Sequence, residues 1–276
     1  MRHADPGAFL AAATPLLASD PAAQVFITSW VDGWRTQTHL QPAVYAATCT
    51  LGESRGLALQ REGPVIVANS RPDAAAALAR DLAEVRPALH SVIGESIGCE
   101  AFAEAWSRCT GCAWRSAMRL RHHLLVEPRD VPRAPGAMRP ADGADLPWLT
   151  QHALAFAREA ELPDSPRQVE TSVARRFARN GFRIWTDPLP VAFAGYIDVG
   201  SDARIGMVYT LRDRRRRGYA TSLVASIVRE RIAAGVKRVF LTTDVANPTS
   251  NAVYARIGFR PVGDEVRIDF VARSGT

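Results

Sequence analysis

The chain has 276 residues, of which 47% are apolar and 22% carry a formal charge. This length predicts two domains of about 150 residues each, and the apolar content is ordinary for proteins that bury a core. No run of about 18 apolar residues predicts a membrane-spanning helix, and the first residues lack the apolar core of a signal peptide. We therefore expect a cytoplasmic protein that has no membrane partner.

The net charge of +6 permits nucleic-acid binding, but the charge has an unusual source. Of 34 basic residues, only Lys237 is a lysine. The arginine bias runs through the whole chain, which weakens any special interpretation of a local arginine cluster. Cys109 and Cys112 have the CxxC spacing of zinc or redox sites, but no second pair lies at a matching distance. We expect no metal.

The first half begins with two predicted helices, at about 6–18 and 20–35. Short strands follow at 42–51, 56–62 and 64–70, separated by turn residues. A helix at 71–85, an extended stretch at 89–94, a helix at 99–109 and a long alternating strand at 113–127 complete this half. Residues 128–137 contain three prolines and a glycine, which is typical of a linker. We predict an N-terminal α/β domain at 1–134 and a second domain at 135–276.

The second half begins with a strand at Met138, a helix capped by Asp142 or Asp145, and a helix at 166–181 that ends at Gly181. Three strands at 182–187, 190–200 and 203–211 predict an antiparallel meander. A helix, a strand at 236–244, a short helix at 247–258 and a last strand at 265–273 follow. The fold class is α/β with a mixed sheet. Both halves share this element order, so the first half is a candidate degenerate repeat.

Four consecutive arginines, Arg214–Arg217, precede Gly218 and an amphipathic helix. The strand before them therefore leads through a tight loop into a helix N-terminus. Such a terminus presents unpaired N–H groups and about half a positive charge, which favours phosphate. Gly218 has no side chain, so a ligand can approach the backbone there. The pattern predicts a pyrophosphate site.

These residues resemble the acetyl-CoA loop of the GNAT N-acetyltransferases. The sequence from Arg215 to Ala220 matches the pattern Q/R-x-x-G-x-G/A. The VYT strand at 208–210 and the RGYA segment at 217–220 are similar to the glycine-N-acyltransferase-like branch. The segment 242–262 resembles the second motif of that branch through Asn247, Asn251 and Tyr254, followed by Gly258-Phe259. The resemblance covers about 135–276. Leu211-Arg212 replaces prolines that many members have, so the loop entry is expected to differ.

The resemblance implies a GNAT fold in the second half, with acetyl-CoA as co-substrate and no metal. It implies that the strand at 207–210 pairs with the pantetheine arm and that an N–H near Val208 or Tyr209 polarises the thioester carbonyl. Tyr254 is the candidate general acid, and Arg212 and Arg214 are expected to reach the CoA phosphates. Glu159 or Glu161 is the tentative base or acceptor contact. The implied cofactor-binding residues are Val208, Tyr209, Thr210, Arg215, Arg216, Arg217, Gly218, Tyr219, Ala220, Thr221, Asn247 and Asn251.

Simpler roles remain open for these side chains: Tyr254 and Tyr209 as packing aromatics, Asn247 as a helix cap, and the two glutamates as solvated carboxylates. The first half has no equivalent loop. Covering the acceptor site and forming a homodimer contact are its open roles.

The leading hypothesis is an acetyl-CoA-dependent N-acetyltransferase that acylates an amine of a small molecule or amino acid. A longer acyl donor also fits this pattern. The alternative of another class is a non-catalytic acyl-CoA-binding sensor or scaffold. A nucleic-acid binder that uses Arg212–Arg217 is a third hypothesis, but the aromatic interleaving it requires is limited to Tyr219. We expect no nucleic-acid partner.

Overall fold

The computed structural model describes residues 1–35, 45–60, 63–85 and 89–271. Parts of three predicted strands, at residues 42–44, 61–62 and 272–273, lie outside these ranges. The chain divides into two compact units, one formed by Met1–Arg121 with Gly263–Thr276 and the other by His122–Val262. The predicted domain boundary at 134/135 stays a prediction. No helix in the described ranges has both the length and the apolar character needed to cross a bilayer.

The first unit contains four helices and strands of a mixed sheet. In chain order these elements are α1 (Pro6–Leu17), α2 (Pro21–Arg35), β1 (Tyr45–Leu51), β2 (Ser54–Gln60), β3 (Val65–Ala68), α3 (Pro72–Val85), β4 (Ser91–Gly94), α4 (Ser96–Thr110) and most of β5 (Ala113–Leu125). The last strand of the chain, β11 (Phe259–Val271), has its second part here. The strand order is β1-β2-β3-β4-β11, in which only β3 and β4 are parallel.

Alternation along β2 divides the core of the first unit into two layers. Leu57 and Leu59 pack with α1 and α2, whereas Ala58 packs with α3 and α4. The end of the chain completes the second layer, because Ile268 of β11 is fully buried in it. Residues 266–269 of β11 pair antiparallel with 91–94 of β4. The first unit is therefore built from the two ends of the chain.

The second unit carries the remaining helices and five strands of a mixed sheet. These are β6 (Ala137–Pro140), α5 (Leu146–Glu159), α6 (Pro166–Ala178), β7 (Phe182–Thr186), β8 (Pro190–Val199), β9 (Asp202–Thr210), α7 (Tyr219–Ala233), β10 (Arg238–Asp244) and α8 (Pro248–Ile257). The strand order is β10-β9-β8-β7-β6, and only the β9–β10 pair is parallel. The predicted mixed α/β class and element order are confirmed.

The sheet of the second unit is covered on both faces. Ile205 of β9 packs with α7 and α8, whereas Tyr209 of the same strand packs with α5 and α6. The strand changes its alternation between these positions because Met207 has a φ of +57° and the register with β8 shifts opposite Phe193–Gly195. This is a β-bulge, which bends one strand and increases its twist.

Strands β9 and β10 separate beyond the bulge. Their parallel pairing runs from Arg238 opposite Asp202 to Leu241 opposite Ile205 and ends there. Residues 206–210 of β9 and 242–244 of β10 continue without pairing to each other. The two strands therefore form a fork, and its open side exposes backbone groups of β9.

Candidate active site

The arginine loop contains left-handed residues, which are a feature of anion-binding turns. A single 3₁₀ turn at Arg212–Arg214 follows β9, and then Arg216 and Gly218 adopt left-handed φ values of +62° and +81°. Turns that alternate right-handed and left-handed residues aim successive N–H groups into one concavity. A Cβ on Gly218 would meet only Ala134, at 3.8 Å, so the approach to this turn is open.

Helix α7 begins directly at this turn and has no side-chain cap. Gly218 occupies the N-cap position, and no side chain accepts from the first N–H groups. The first backbone bond of the helix joins the Ser222 N–H to the Gly218 carbonyl at 2.9 Å. The N–H groups of Tyr219, Ala220 and Thr221 therefore point out of the helix end, where the macrodipole favours an anion.

Two side chains hold the start of α7 in place. The hydroxyl of Tyr219 donates a short hydrogen bond to the carboxylate of Asp187, in the turn between β7 and β8. This hydrogen bond is the main reason why the pKa of Tyr219 is raised. One turn later, the hydroxyl of Ser222 accepts from the Ala134 N–H at 2.8 Å. These contacts position the N-terminal end of α7.

A cavity of about 910 Å³ joins the fork, the turn and helix α8. Most of the predicted site residues line it: Glu159, Val208, Tyr209, Thr210, Arg215, Arg216, Gly218, Tyr219, Ala220, Thr221, Asn247 and Tyr254. Arg214 also lines it. Arg217, Asn251 and Glu161 are absent from its lining. Phe156 and Arg256 also line the cavity, although they were not predicted. The only sequence signal for them was their position near Glu159 on α5 and near Tyr254 on α8.

Tyr254 faces this cavity from α8 and is otherwise enclosed. Its side chain is buried against the rings of Phe259 and His123, at centroid distances of 6.0 and 6.5 Å. Its hydroxyl has no hydrogen-bond partner among the described residues. Burial raises the pKa of Tyr254, because the phenolate would lose its hydration. The phenol therefore keeps its proton at neutral pH.

The two predicted asparagines belong to the frame of the site. Asn247 caps α8, since its side-chain oxygen accepts from the Ser250 N–H at 3.0 Å. Asn251 accepts from the Thr243 hydroxyl at 2.7 Å, and its amide donates to the last carbonyl of β10 and to the carbonyl that follows it. The Thr243 hydroxyl is also 3.0 Å from Nε2 of His123. Asn251 thus links α8 to β10 through hydrogen bonds. Contact of either asparagine with CoA stays a prediction.

Glu159 is held in a network that links α5 to the arginine loop. Its carboxylate accepts from the Tyr209 hydroxyl at 2.8 Å, from Nε of Arg212 at 2.8 Å and from Nη2 of Arg215 at 2.6 Å. Arg215 also donates to the Thr210 carbonyl at 3.1 Å and stacks over the Tyr209 ring. Partial burial opposes ionisation, but the hydrogen bonds from Arg215, Arg212 and Tyr209 lower the pKa of Glu159 to about 2.

Such a carboxylate is a weak proton acceptor, which disfavours Glu159 as the general base. Its other predicted role, contact with the acceptor, stays a prediction. Glu161 is exposed after the end of α5, with a φ of +49°. In the described ranges, no group of three or more candidate metal ligands occurs.

The chain is similar to one protein family and to several solved structures. Residues 190–268 match the family model described as FR47-like protein, which is related to the GNAT acetyltransferases. This segment contains the fork, the arginine loop and Tyr254. No curated protein sequence matches the chain significantly.

Several solved structures share the fold at low identity. A Drosophila protein is 16% identical, with 99% of each chain covered and a TM-score of 0.69. A GCN5-related N-acetyltransferase from Sphaerobacter thermophilus is 15% identical, covering 99% of this chain and 95% of its own, with a TM-score of 0.59. A tandem GNAT protein from the clavulanic acid biosynthesis pathway is 15% identical, with 91% and 89% covered and a TM-score of 0.50. The glycine-N-acyltransferase-like branch stays a prediction.

Proposed function

Because this chain has the GNAT fold and carries a GNAT-related FR47-like segment, we propose that it is an acyltransferase that uses acetyl-CoA or another acyl-CoA to acylate an amine. The proposal rests on one observation, which is that three features line the same cavity. These are the β9–β10 fork, the uncapped start of α7 and the protonated phenol of Tyr254.

The chain's own groups fit the parts of an acyl-CoA. The turn at Gly218 and the free N–H groups of α7 suit a pyrophosphate, and Arg214, Arg216 and Arg256 surround the same cavity with positive charge. The unpaired segment of β9 suits the pantetheine arm, which has amide groups that can pair as a strand does. The thioester then lies in the fork, near Val208 and Tyr254.

Direct attack by the amine forms the new C–N bond as the C–S bond of the thioester breaks. An N–H of β9 near Val208 would stabilise the oxyanion that develops on the carbonyl oxygen. The thiolate leaves with the electron pair of the C–S bond, and the Tyr254 hydroxyl donates a proton to it. The amine loses its proton to water, because Glu159 is tied to two arginines, and water returns a proton to the Tyr254 oxygen.

Tyr254→Phe tests this assignment. The variant keeps the ring contacts of Tyr254 and removes only the acid, so we expect turnover to fall by about 100-fold at unchanged CoA affinity. Turnover is measured as release of free CoA thiol across a panel of amines, and affinity by calorimetry with CoA. Wild-type turnover in this variant would contradict the role of Tyr254.

The sensor hypothesis predicts a different result in the same assays. A non-catalytic protein would bind CoA tightly and release no thiol with any amine of the panel. A protein that does not bind CoA at all would contradict both hypotheses.

The nucleic-acid hypothesis receives less support from the arginine loop. Arg212 and Arg215 pair with Glu159, and Arg214 pairs with Asp213 at 3.2 Å. These pairs reduce the positive charge available to a polyanion. We therefore propose small molecules as partners. DNA or RNA binding that weakens steeply with added salt would argue against this view.

A further inference from the structure

Arg176 of α6 is a buried cation that is not used by the proposed acyl transfer. Only 7% of the residue is exposed, and its Nε and Nη1 atoms have no hydrogen-bond partner among the described residues. Its guanidinium lies 5.6 Å from the centroid of the Phe182 ring. A buried charge without a partner is costly, so this arrangement requires a compensating group.

Two glycines make room for the Arg176 side chain. A Cβ on Gly195 would lie 2.6 Å from Cδ of Arg176, and a Cβ on Gly181 would lie 2.8 Å from its Cγ. Neither distance is compatible with a side chain at the glycine. The two glycines thus leave room for the Arg176 side chain to cross β8. Its guanidinium group lies close to β9.

The surroundings of this guanidinium are cationic. Burial first, and then the charges of Arg204 and Arg175, lower the pKa of Arg176 to about 9. No acidic side chain of the described residues forms an ion pair with it. Arg204 lies on β9 two residues before Gly206, so both project from the same face of the strand. An anion at this position would be attracted by the Arg176 guanidinium.

Space for such an anion exists at Gly206, the partner on β9 of the glycine that contacts the Arg176 side chain. Gly206 pairs with Gly195 across β8 and β9, and a Cβ on Gly206 would meet no described atom within 4 Å. Gly206 is also the first residue of β9 beyond the last β9–β10 pair. The open space therefore lies at the base of the fork, on the face covered by α5 and α6.

We propose that Arg176 binds a carboxylate of the acceptor in this space, so that the acceptor is an amine that also carries a carboxylate. This inference rests on the proposed acyl transfer. A guanidinium recognises a carboxylate through paired, charge-assisted N–H bonds, which neutral groups do not match. Two residues of β9, roughly 7 Å, separate Gly206 from Val208, where the thioester carbonyl is placed. That spacing suits a compact molecule with both groups.

Acceptors that differ only in charge test the proposal directly. Amino acids are compared with their amides, for example glycine with glycinamide, in the thiol-release assay. We expect kcat/KM to favour the acid at least tenfold in wild type, and Arg176→Met to abolish the preference. The matched control is Arg167→Met, which replaces an exposed arginine of the same helix and should keep the preference for the acid. An equal preference for acid and amide in wild type would overturn the proposal.

A binding measurement keeps the test independent of turnover. Sodium acetate should raise the Tm of wild type above that in sodium chloride of equal ionic strength, and Arg176→Met should lose this difference. Gly206→Glu should also lose it, because its own carboxylate fills the open space, and should raise the Tm in chloride. That variant decides the matter if Arg176→Met does not fold. Identical Tm values in acetate and chloride for wild type would overturn the proposal.

The two proposals fail in distinguishable ways. If wild type responds to acetate but neither binds CoA nor releases thiol, the acyltransferase assignment fails and the carboxylate site stands. If it releases thiol equally well with acids and amides and ignores acetate, the acyltransferase stands and the carboxylate site fails.

Discussion

Glu159 shows how a single side chain can connect two parts of a site. It accepts from Tyr209 on β9 and from Arg212 and Arg215 in the loop, while its own backbone ends α5. The network fixes the loop arginines on the α5 side of the cavity. Of the remaining arginines in this loop, Arg214 and Arg216 line the cavity.

The lowered pKa of Glu159 predicts how stability depends on pH. The folded protein holds this carboxylate at a pKa of about 2, against an ordinary value of 4.5. Its contribution is therefore complete above pH 4.5 and is lost as the pH falls from 4.5 towards 2. We expect Glu159→Gln to have a lower Tm than wild type at pH 7, with the difference shrinking below pH 4.5.

Thermal unfolding between pH 3 and pH 7 measures this difference. Glu170→Gln, at an exposed position of α6, is the matched control and should follow wild type. A Tm difference for Glu159→Gln that stays constant down to pH 3 would contradict the network.

At this scale the sequence predicted which residues line the cavity better than what each one contacts. Gly218, Tyr254 and the VYT strand were recognisable because motif spacing depends on backbone geometry. The arginine partners of Glu159 are 53 and 56 positions away, and only the folded chain brings them together. Arg176 was equally invisible, since the room for its side chain depends on glycines of two other segments.

At the scale of elements, the start of α7 depends on one backbone conformation. Gly218 has a φ of +81°, in the left-handed region that costs other residues about 1–2 kcal/mol. We expect Gly218→Glu to abolish CoA binding, because a carboxylate would occupy the anion position and would repel phosphate. Calorimetry with CoA measures the loss.

The other end of the same helix offers a matched control. Gly235 also has a left-handed φ, +90°, and open space around it, but does not line the cavity. Gly235→Glu should bear a similar backbone cost and bind CoA as wild type does. Normal CoA affinity in Gly218→Glu would mean that the turn is not the phosphate site.

Hydrophobic periodicity predicted the order of the elements correctly, but it predicted the residues at which they end less accurately. The helix predicted to end at Gly181 ends at Ala178, and Asn180 takes the left-handed conformation instead, with a φ of +52°. Asparagine tolerates this region better than most residues, so a glycine nearby was a misleading signal. The bulge at Met207 was unpredictable, because methionine carries no preference for positive φ.

At the scale of the whole molecule, the last strand is the feature least evident from the sequence. Periodicity predicted β11 as a strand but could not give its neighbour. The strand begins in one unit, and its residues 266–269 pair with β4 in the other. Strand pairing over such a separation is set by tertiary packing and not by any local pattern.

The buried residue Ile268 therefore tests whether the first unit depends on the end of the chain. We expect Ile268→Ala to destabilise the protein by about 2–5 kcal/mol, because it removes buried methyl groups from a closed core. Chemical denaturation measures this change. Val262→Ala, at an exposed position of the same strand, is the control and should cost far less.

CoA affinity of the folded variant should equal that of wild type, because the cavity belongs to the second unit. A large loss of CoA affinity in fully folded Ile268→Ala would contradict this independence.

The pairing of β4 with β11 also has a consequence for synthesis on the ribosome. The N-terminal segment emerges first, yet its sheet lacks a strand until residues near 266 have been translated. At about 5–20 residues per second, this delay is on the order of ten seconds or more. During that interval the nascent first unit exposes an unpaired β4 edge, which is open to pairing with other chains until β11 is made.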